Sequence, residues 1–197
     1  MASRLDDLLG HLAALERELA TELAHARADW RYRIDAGKVR FERAAHEANA
    51  RLKRSIPAFL RDSSPANMLT TPIIGSLIVP IALLDVWVSL YQAICFRVYG
   101  IPRVHRAKYV VIDRHQLSYL NAIEKVNCVF CGYANGVFAY VREVAARTEQ
   151  YWCPIRHATR VMAPHTHYRH FVDYGDAEGY HRRLLPLRKD LKDEPQP

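Results

Sequence analysis

The chain has 197 residues, half of them apolar and a quarter charged, with 28 Lys and Arg against 21 Asp and Glu for a formal net charge of +7. This composition excludes a disordered or collagen-like polypeptide and leaves room for a buried core in one or two domains. Four cysteines are too few for a disulfide scaffold, and the positive balance permits contact with anionic surfaces without requiring it.

The first segment carries acidic and basic residues where a signal peptide would hold its apolar core, so no leader is expected and the protein should begin near Met1. Residues 5–56 are rich in Ala, Leu, Glu and Arg and contain no proline before Pro57, which predicts one long helix. Leu5, Leu8, Leu12, Leu15 and Leu19 step by three and four, as a heptad seam does. From Leu23 the apolar positions Ala26, Trp30, Ile34, Gly37, Phe41, Ala45, Ala48, Leu52 and Ile56 follow an eleven-residue repeat, which predicts a nearly straight seam. Some 50 helical residues would span roughly 75 Å, so a homo-oligomeric or helical protein partner is expected along residues 1–62. The basic run Trp30-Arg31-Tyr32-Arg33 reads as a solvated face with Trp30 in the seam, so nucleic acid is not an expected partner.

Residues 65–102 are the most apolar part of the chain. Residues 73–96 number 24, enough to cross a hydrocarbon core of about 30 Å, and only Asp85 interrupts them with a charge. Asp85 divides the stretch into arms of 12 and 11 residues, each about 17 Å as helix and so only halfway across. Gly75, Ser76 and Pro80 offer a place to bend. Both flanks are basic, with Arg51, Lys53, Arg54 and Arg61 before and Arg97, Arg103, Arg106 and Lys108 after. Lysine and arginine accumulate on the cytoplasmic side and attract anionic headgroups. A hairpin inserted from that side is therefore the expected form, with a single span or a buried soluble segment as alternatives, and membrane lipids are the expected partner.

Beyond the apolar segment, Tyr109-Val110-Val111-Ile112-Asp113 reads as a short strand. Helices are expected over residues 117–126 and 134–151 with a turn at Cys128, and a disordered tail over 186–197. Cys128-Val129-Phe130-Cys131 is followed, after 21 intervening residues, by Cys153-Pro154-Ile155-Arg156-His157. A C-x2-C turn aims two sulfurs at one ion, and C-x3-H at a helix start sets two more donors one turn apart. Cys128, Cys131, Cys153 and His157 are thus the candidate metal ligands of a structural zinc, with a [2Fe-2S] cluster as the alternative. Gly132 suits the turn of such a knuckle, and Cys95 reads as packing.

His165, His167, His170 and His181 crowd the next region. His165 and His167 with Asp173 or Asp176 could form a second metal centre, but polar residues alternating with Tyr168, Phe171 and Tyr174 read better as a wet surface loop. His165 is also the substitute if His157 is not the fourth ligand. Glu124, Glu143 and Glu149 read as ion-pair partners of Arg142, Arg147 and Arg114. Asp113-Arg114-His115 with Asn121 and the C-x2-C matches a His-Asn-His nuclease only loosely. No phosphate loop, nucleophile elbow or H-E-x-x-H is present.

Ser55-Ile56-Pro57-Ala58-Phe59-Leu60, Leu84-Asp85-Val86-Trp87-Val88-Ser89-Leu90-Tyr91-Gln92, Asn127 to Asn135-Gly136, and Arg147-Thr148-Glu149-Gln150-Tyr151-Trp152-Cys153-Pro154 carry a resemblance. In these segments the chain resembles an uncharacterised bacterial membrane-associated protein family, over about residues 30–176. The resemblance implies a membrane setting and brings no activity.

The expected fold is mainly α: a long N-terminal helix (1–62), an apolar membrane hairpin or span (63–104), a small α(+β) Cys3His metal-binding domain (105–185) and a tail. The expected function is a membrane-anchored interaction or scaffold protein on the cytoplasmic face of the inner membrane. The alternative is a membrane-bound redox protein or enzyme using a cluster or metal at the same donors. A lipid-modifying enzyme would place Asp85 or His115 at the membrane surface.

Overall fold

The computed structural model describes the backbone of residues 2–28, 32–35, 38–41 and 43–193, and side chains at 7–8, 10–12, 14–25 and 46–193. The architecture is mainly α, in two compact units. The first comprises Met1–Leu60 with Asp113–Lys125, and the second Arg61–Ile112 with Val126–Pro197.

In the first unit, α1 (Ala2–Ala28) is followed by two antiparallel strands, β1 (Tyr32–Asp35) and β2 (Lys38–Phe41), and then by α2 (Arg43–Ala50). Tyr32 opposes Phe41 and Ile34 opposes Val39. The expected continuous helix over 5–56 therefore ends at Ala28. Tyr32, Ile34, Val39 and Phe41 carry the aromatic and β-branched side chains that strands favour, and Gly37, outside the described residues, is a poor helix former between them. The eleven-residue repeat was met by residues whose local preference is for pairing. Every described side chain of α1 is exposed, including Leu8, Leu12, Leu15, Leu19 and Leu23.

The segment 113–125 is tied to α2 by the Ser118 hydroxyl, which donates to the His46 carbonyl at 3.0 Å. It leads into α6 (Ala122–Trp152) through a reciprocal cap. Asn121 Oδ1 accepts the N–H groups of Ile123 and Glu124 at 3.0 Å each, while the Asn121 N–H donates to Glu124 at 2.8 Å. This cap starts the helix at Ala122 instead of residue 117. Residues 109–113 are not a strand; a short 3-10 turn at Arg106–Lys108 leads into irregular chain.

The second unit begins within α3 (Ile56–Asp62) and continues through α4 (Pro65–Ser76) and α5 (Ile78–Tyr99). Leu77 joins α4 to α5 in right-handed helical conformation, so the chain does not turn back on itself. Pro80 lacks the N–H that would bond the Ser76 carbonyl, which is where α4 ends. It stands in the first turn of α5, where that loss is tolerated. The expected hairpin at Asp85 is therefore replaced by a 35-residue helical run, Pro65–Tyr99, apolar and long enough to cross a membrane.

Gly100 closes α5 in the left-handed region, with φ 67° and the Ile101 N–H reaching back to the Phe96 carbonyl at 3.0 Å. The chain then runs back beside α5, and α6 packs on the same side. Phe96, Ile101, Val104, Tyr140, Val144 and Leu191 form the larger core cluster, and Ile81, Ala134 and Val137 a smaller one. Each large apolar side chain so buried contributes about 1.5–3 kcal/mol. The last helix, α7 (Ala177–Asp193), buries Leu187 and Leu191 against this core. The expected tail over 186–197 is thus helical as far as Asp193, because Leu184, Leu187 and Leu191 share one face; residues 194–197 lie outside the described ones.

Candidate functional site

The four expected metal donors are not brought together. Cys128 and Cys131 lie one turn apart within α6, whereas Cys153 and His157 follow its far end. The 22 residue steps from Cys131 to Cys153 amount to roughly 33 Å of helix rise. An x2 spacing is satisfied by one helical turn as well as by a zinc knuckle, and the uninterrupted hydrogen-bond ladder of α6 takes the former. The His157 N–H donates to the Tyr168 hydroxyl at 2.7 Å, and its ring stacks on that of Tyr168. Among the described residues no three His, Cys, Asp or Glu side chains converge as a metal cluster. The second centre drawn from His165 and His167 fares no better. Asp173 pairs with Arg156 at 2.7 Å, and Asp176 accepts the Gly179 N–H at 2.8 Å. Cys95 is partly buried and carries no disulfide.

What the structure does assemble is an inverted amphipathic helix. α4 buries no residue, and on α5 the buried positions are Ile81, Asp85, Gln92 and Phe96, spaced as one helical face. The opposite face carries Val79, Leu83, Val86, Trp87, Leu90, Ile94 and Val98, all exposed. Trp87 is 72% and Val98 77% exposed, while Asp85 and Gln92 are 6% and 7% exposed. An ordinary surface helix shows the reverse pattern. Arg97 is the one charged residue on the outward arc and stands in the last turn of α5.

Each inward polar group is matched. Arg106 grips Asp85 with two donors, Nε at 2.8 Å to one oxygen and Nη2 at 2.7 Å to the other, and the Tyr133 hydroxyl donates at 2.9 Å. The Gln92 amide treats Val104 as a strand neighbour would: its Nε2 donates to the Val104 carbonyl at 3.1 Å and its Oε1 accepts the Val104 N–H at 2.9 Å. Gln92 also donates to the Tyr140 hydroxyl, which meets Ser89. On α4, Thr70 and Thr71 donate to the Asn67 carbonyl and Ser76 to that of Ile73. These hydroxyls are thus satisfied within the helix, as an apolar surrounding would demand.

A second network lies on another face of α6. Glu143 accepts from Arg147 Nε at 2.8 Å and meets His167 Nε2 at 3.2 Å, while His167 Nδ1 lies 2.6 Å from Gln150 Oε1. Gln150 donates onward to the Leu187 carbonyl at 2.9 Å. The hydrogen bond to His167, aided by Arg147 and opposed by burial, holds the Glu143 carboxyl down at about 2. Burial, with Arg169 nearby, holds His170 below its ordinary value. Of the three expected Glu–Arg pairs, Glu143 with Arg147 is formed; Glu124 caps α6, and Glu149 meets His165 at 2.9 Å. His167 is 8% exposed, so the expected wet loop is here a buried strut. The network clamps the 165–172 segment and α7 onto α6, with Arg147 and His167 buried.

Gly136 is a position that residue-type reasoning missed. A β-carbon there would lie 2.7 Å from the Tyr109 carbonyl oxygen and from Val110 Cα, so glycine is what lets this backbone cross α6. Gly132 and Gly136 form a small-xxx-small pair that signals such close approach.

Comparison with family models, with curated proteins and with solved structures found no match.

Proposed function

We propose that this protein is a membrane-anchored interaction or scaffold protein, attached through α4 and α5 at the cytoplasmic face of the inner membrane. The observation that carries the reading is the inversion on α5: polar groups face the protein and are fully matched, while apolar side chains face outward along the whole helix. In water such a surface would be a liability; against hydrocarbon it is the favourable arrangement.

The first unit supports attachment from one side. Leu60 and Asp113 flank the apolar segment, and Met1–Leu60 and Asp113–Lys125 belong to one compact unit. Gly100 reverses the chain, and residues 101–110 return beside α5 as far as Ile81, so both borders of the segment are reached from one side. With no turn back between α4 and α5, this reading lays the helices along the interface with the outward face sunk about 5–10 Å into it. The cations at both ends of the segment favour the cytoplasmic leaflet. The exposed leucine stripe of α1 is the surface for self-association or for a helical partner.

Flotation with vesicles of phosphatidylcholine mixed with phosphatidylglycerol tests the anchor. Wild-type protein should float, and Trp87→Glu combined with Leu90→Glu should weaken binding at least about tenfold. Circular dichroism should be unchanged, because both side chains point away from the protein. Soluble wild-type protein that stays monodisperse and remains below the vesicles would overturn the reading.

A further inference from the structure

Where α5 and α6 end, aromatic and basic groups gather. Tyr99 stacks on Tyr151 with centroids 4.8 Å apart, and Trp152 meets Tyr99 edge-on at 5.5 Å. Arg188 of α7 lies over the Tyr151 ring at 4.8 Å and the Trp152 ring at 5.9 Å, and its Nε donates to the Tyr151 carbonyl at 2.7 Å. One turn further along α7, Lys192 extends over the end of α5, its Nζ 3.7 Å from where a β-carbon of Gly100 would stand. Tyr and Trp beside basic side chains are the groups enriched at the level of lipid headgroups.

Trp152 also closes one end of a groove. Val88 and Tyr91 of α5 line it from one side, Val141, Ala145 and Trp152 of α6 from the other, in an open volume of about 490 Å³. The Thr148 hydroxyl is occupied by Tyr91 and by the Val144 carbonyl, and the Glu149 carboxylate by His165. Residues 141–152 make the groove about 16 Å long. Tyr91 adjoins Trp87, Ile94 and Val98 around α5, so the groove runs directly into the outward apolar face.

We infer that this groove seats one acyl chain of an anionic phospholipid, whose phosphate is met by Arg188 and Lys192 at its Trp152 end. The inference rests on the membrane reading above and names the partner at that surface. Lipid is the occupant because the groove is continuous with the face turned to hydrocarbon and ends at positive charge, which suits a chain with an anionic head. A phosphate there meets a cation already held in place by the Tyr151 carbonyl and two aromatic rings.

The test uses full-length protein carrying Trp30→Phe and Trp87→Phe, which leaves Trp152 as its sole tryptophan. Its fluorescence is followed with vesicles containing phosphatidylglycerol or phosphatidylcholine brominated on the acyl chain. Brominated phosphatidylglycerol should quench Trp152 at the lower lipid fraction. Lys192→Gln should weaken that preference about fivefold while vesicle binding persists. Ala145→Phe should fill the groove and reduce quenching by both lipids. Equal quenching by the two lipids on bound vesicles, or quenching indifferent to Ala145→Phe, overturns the inference and leaves the anchor standing. Failure to bind either vesicle overturns both. Arg188→Gln is the stronger charge variant, and Lys192→Gln decides the matter if it does not fold.

Discussion

Gly136 sits where the 109–110 backbone crosses α6, and the contact there is with backbone, which has little freedom to move aside. Gly136→Ala should therefore destabilise the second unit by about 1–3 kcal/mol despite the better helix propensity of alanine, read as a lower denaturation midpoint. Glu143 makes a different prediction. Its carboxyl is held at about 2 in the folded protein against 4.5 ordinarily, so the folded state binds this proton less readily than the unfolded one. The stabilisation is then fully present above about pH 4.5 and is lost as pH falls through about 2. Glu143→Gln should cost about 3 kcal/mol at neutral pH by removing the carboxylate shared by the buried Arg147 and His167, and its stability should vary less across that acid window; a pH series of denaturation curves reads both. At this scale the Glu143–Arg147 pairing was legible from an i, i+4 spacing. The fate of Cys128 and Cys131 was not, since an i, i+3 pair of donors looks the same on a helix and in a metal knuckle until the local backbone is known.

At the scale of elements, α5 shows why hydropathy alone misjudged the apolar segment. A count of apolar residues marks the stretch as membrane-compatible, and Asp85 in its middle looks like the tip of a hairpin. The structure turns Asp85 inward to a bidentate arginine and a tyrosine, so the charge needs no exit to water and the helix continues unbroken past it. α1 carries a complementary expectation. Its leucines from Leu8 to Leu23 are exposed along the helix, and their three-and-four spacing is that of a coiled-coil seam. Leu12→Asp with Leu19→Asp should convert an oligomer to monomer in analytical ultracentrifugation while the melting of the second unit stays unchanged. A monomeric wild type across the accessible concentration range would leave α1 to a different partner. The third element, α7, was hidden by its charge: Lys189, Asp190, Lys192 and Asp193 resemble a solvated tail, and only the phase of Leu184, Leu187 and Leu191 marks the buried face.

For the whole molecule, the decisive fact is that the chain leaves the first unit at Leu60 and returns to it at Asp113. With the native cysteines replaced by serine, Gly10→Cys and Lys189→Cys should be labelled from the same face of the membrane by an impermeant thiol reagent. Labelling from opposite faces would reject attachment from one side. The amino-acid sequence by itself determined the helical class, the apolar segment and its basic borders, because these depend on composition and on periodicity within a few turns. Where α1 stops, that α6 runs unbroken through both cysteines of the C-x2-C, and which side of α5 meets protein were decided only in the folded chain. Those outcomes depend on partners distant in sequence: Arg106 and Tyr133 for Asp85, Val104 for Gln92, and Tyr109 with Val110 for Gly136. No local pattern encodes such pairings, since the energy that selects them appears only when the matching groups are buried together.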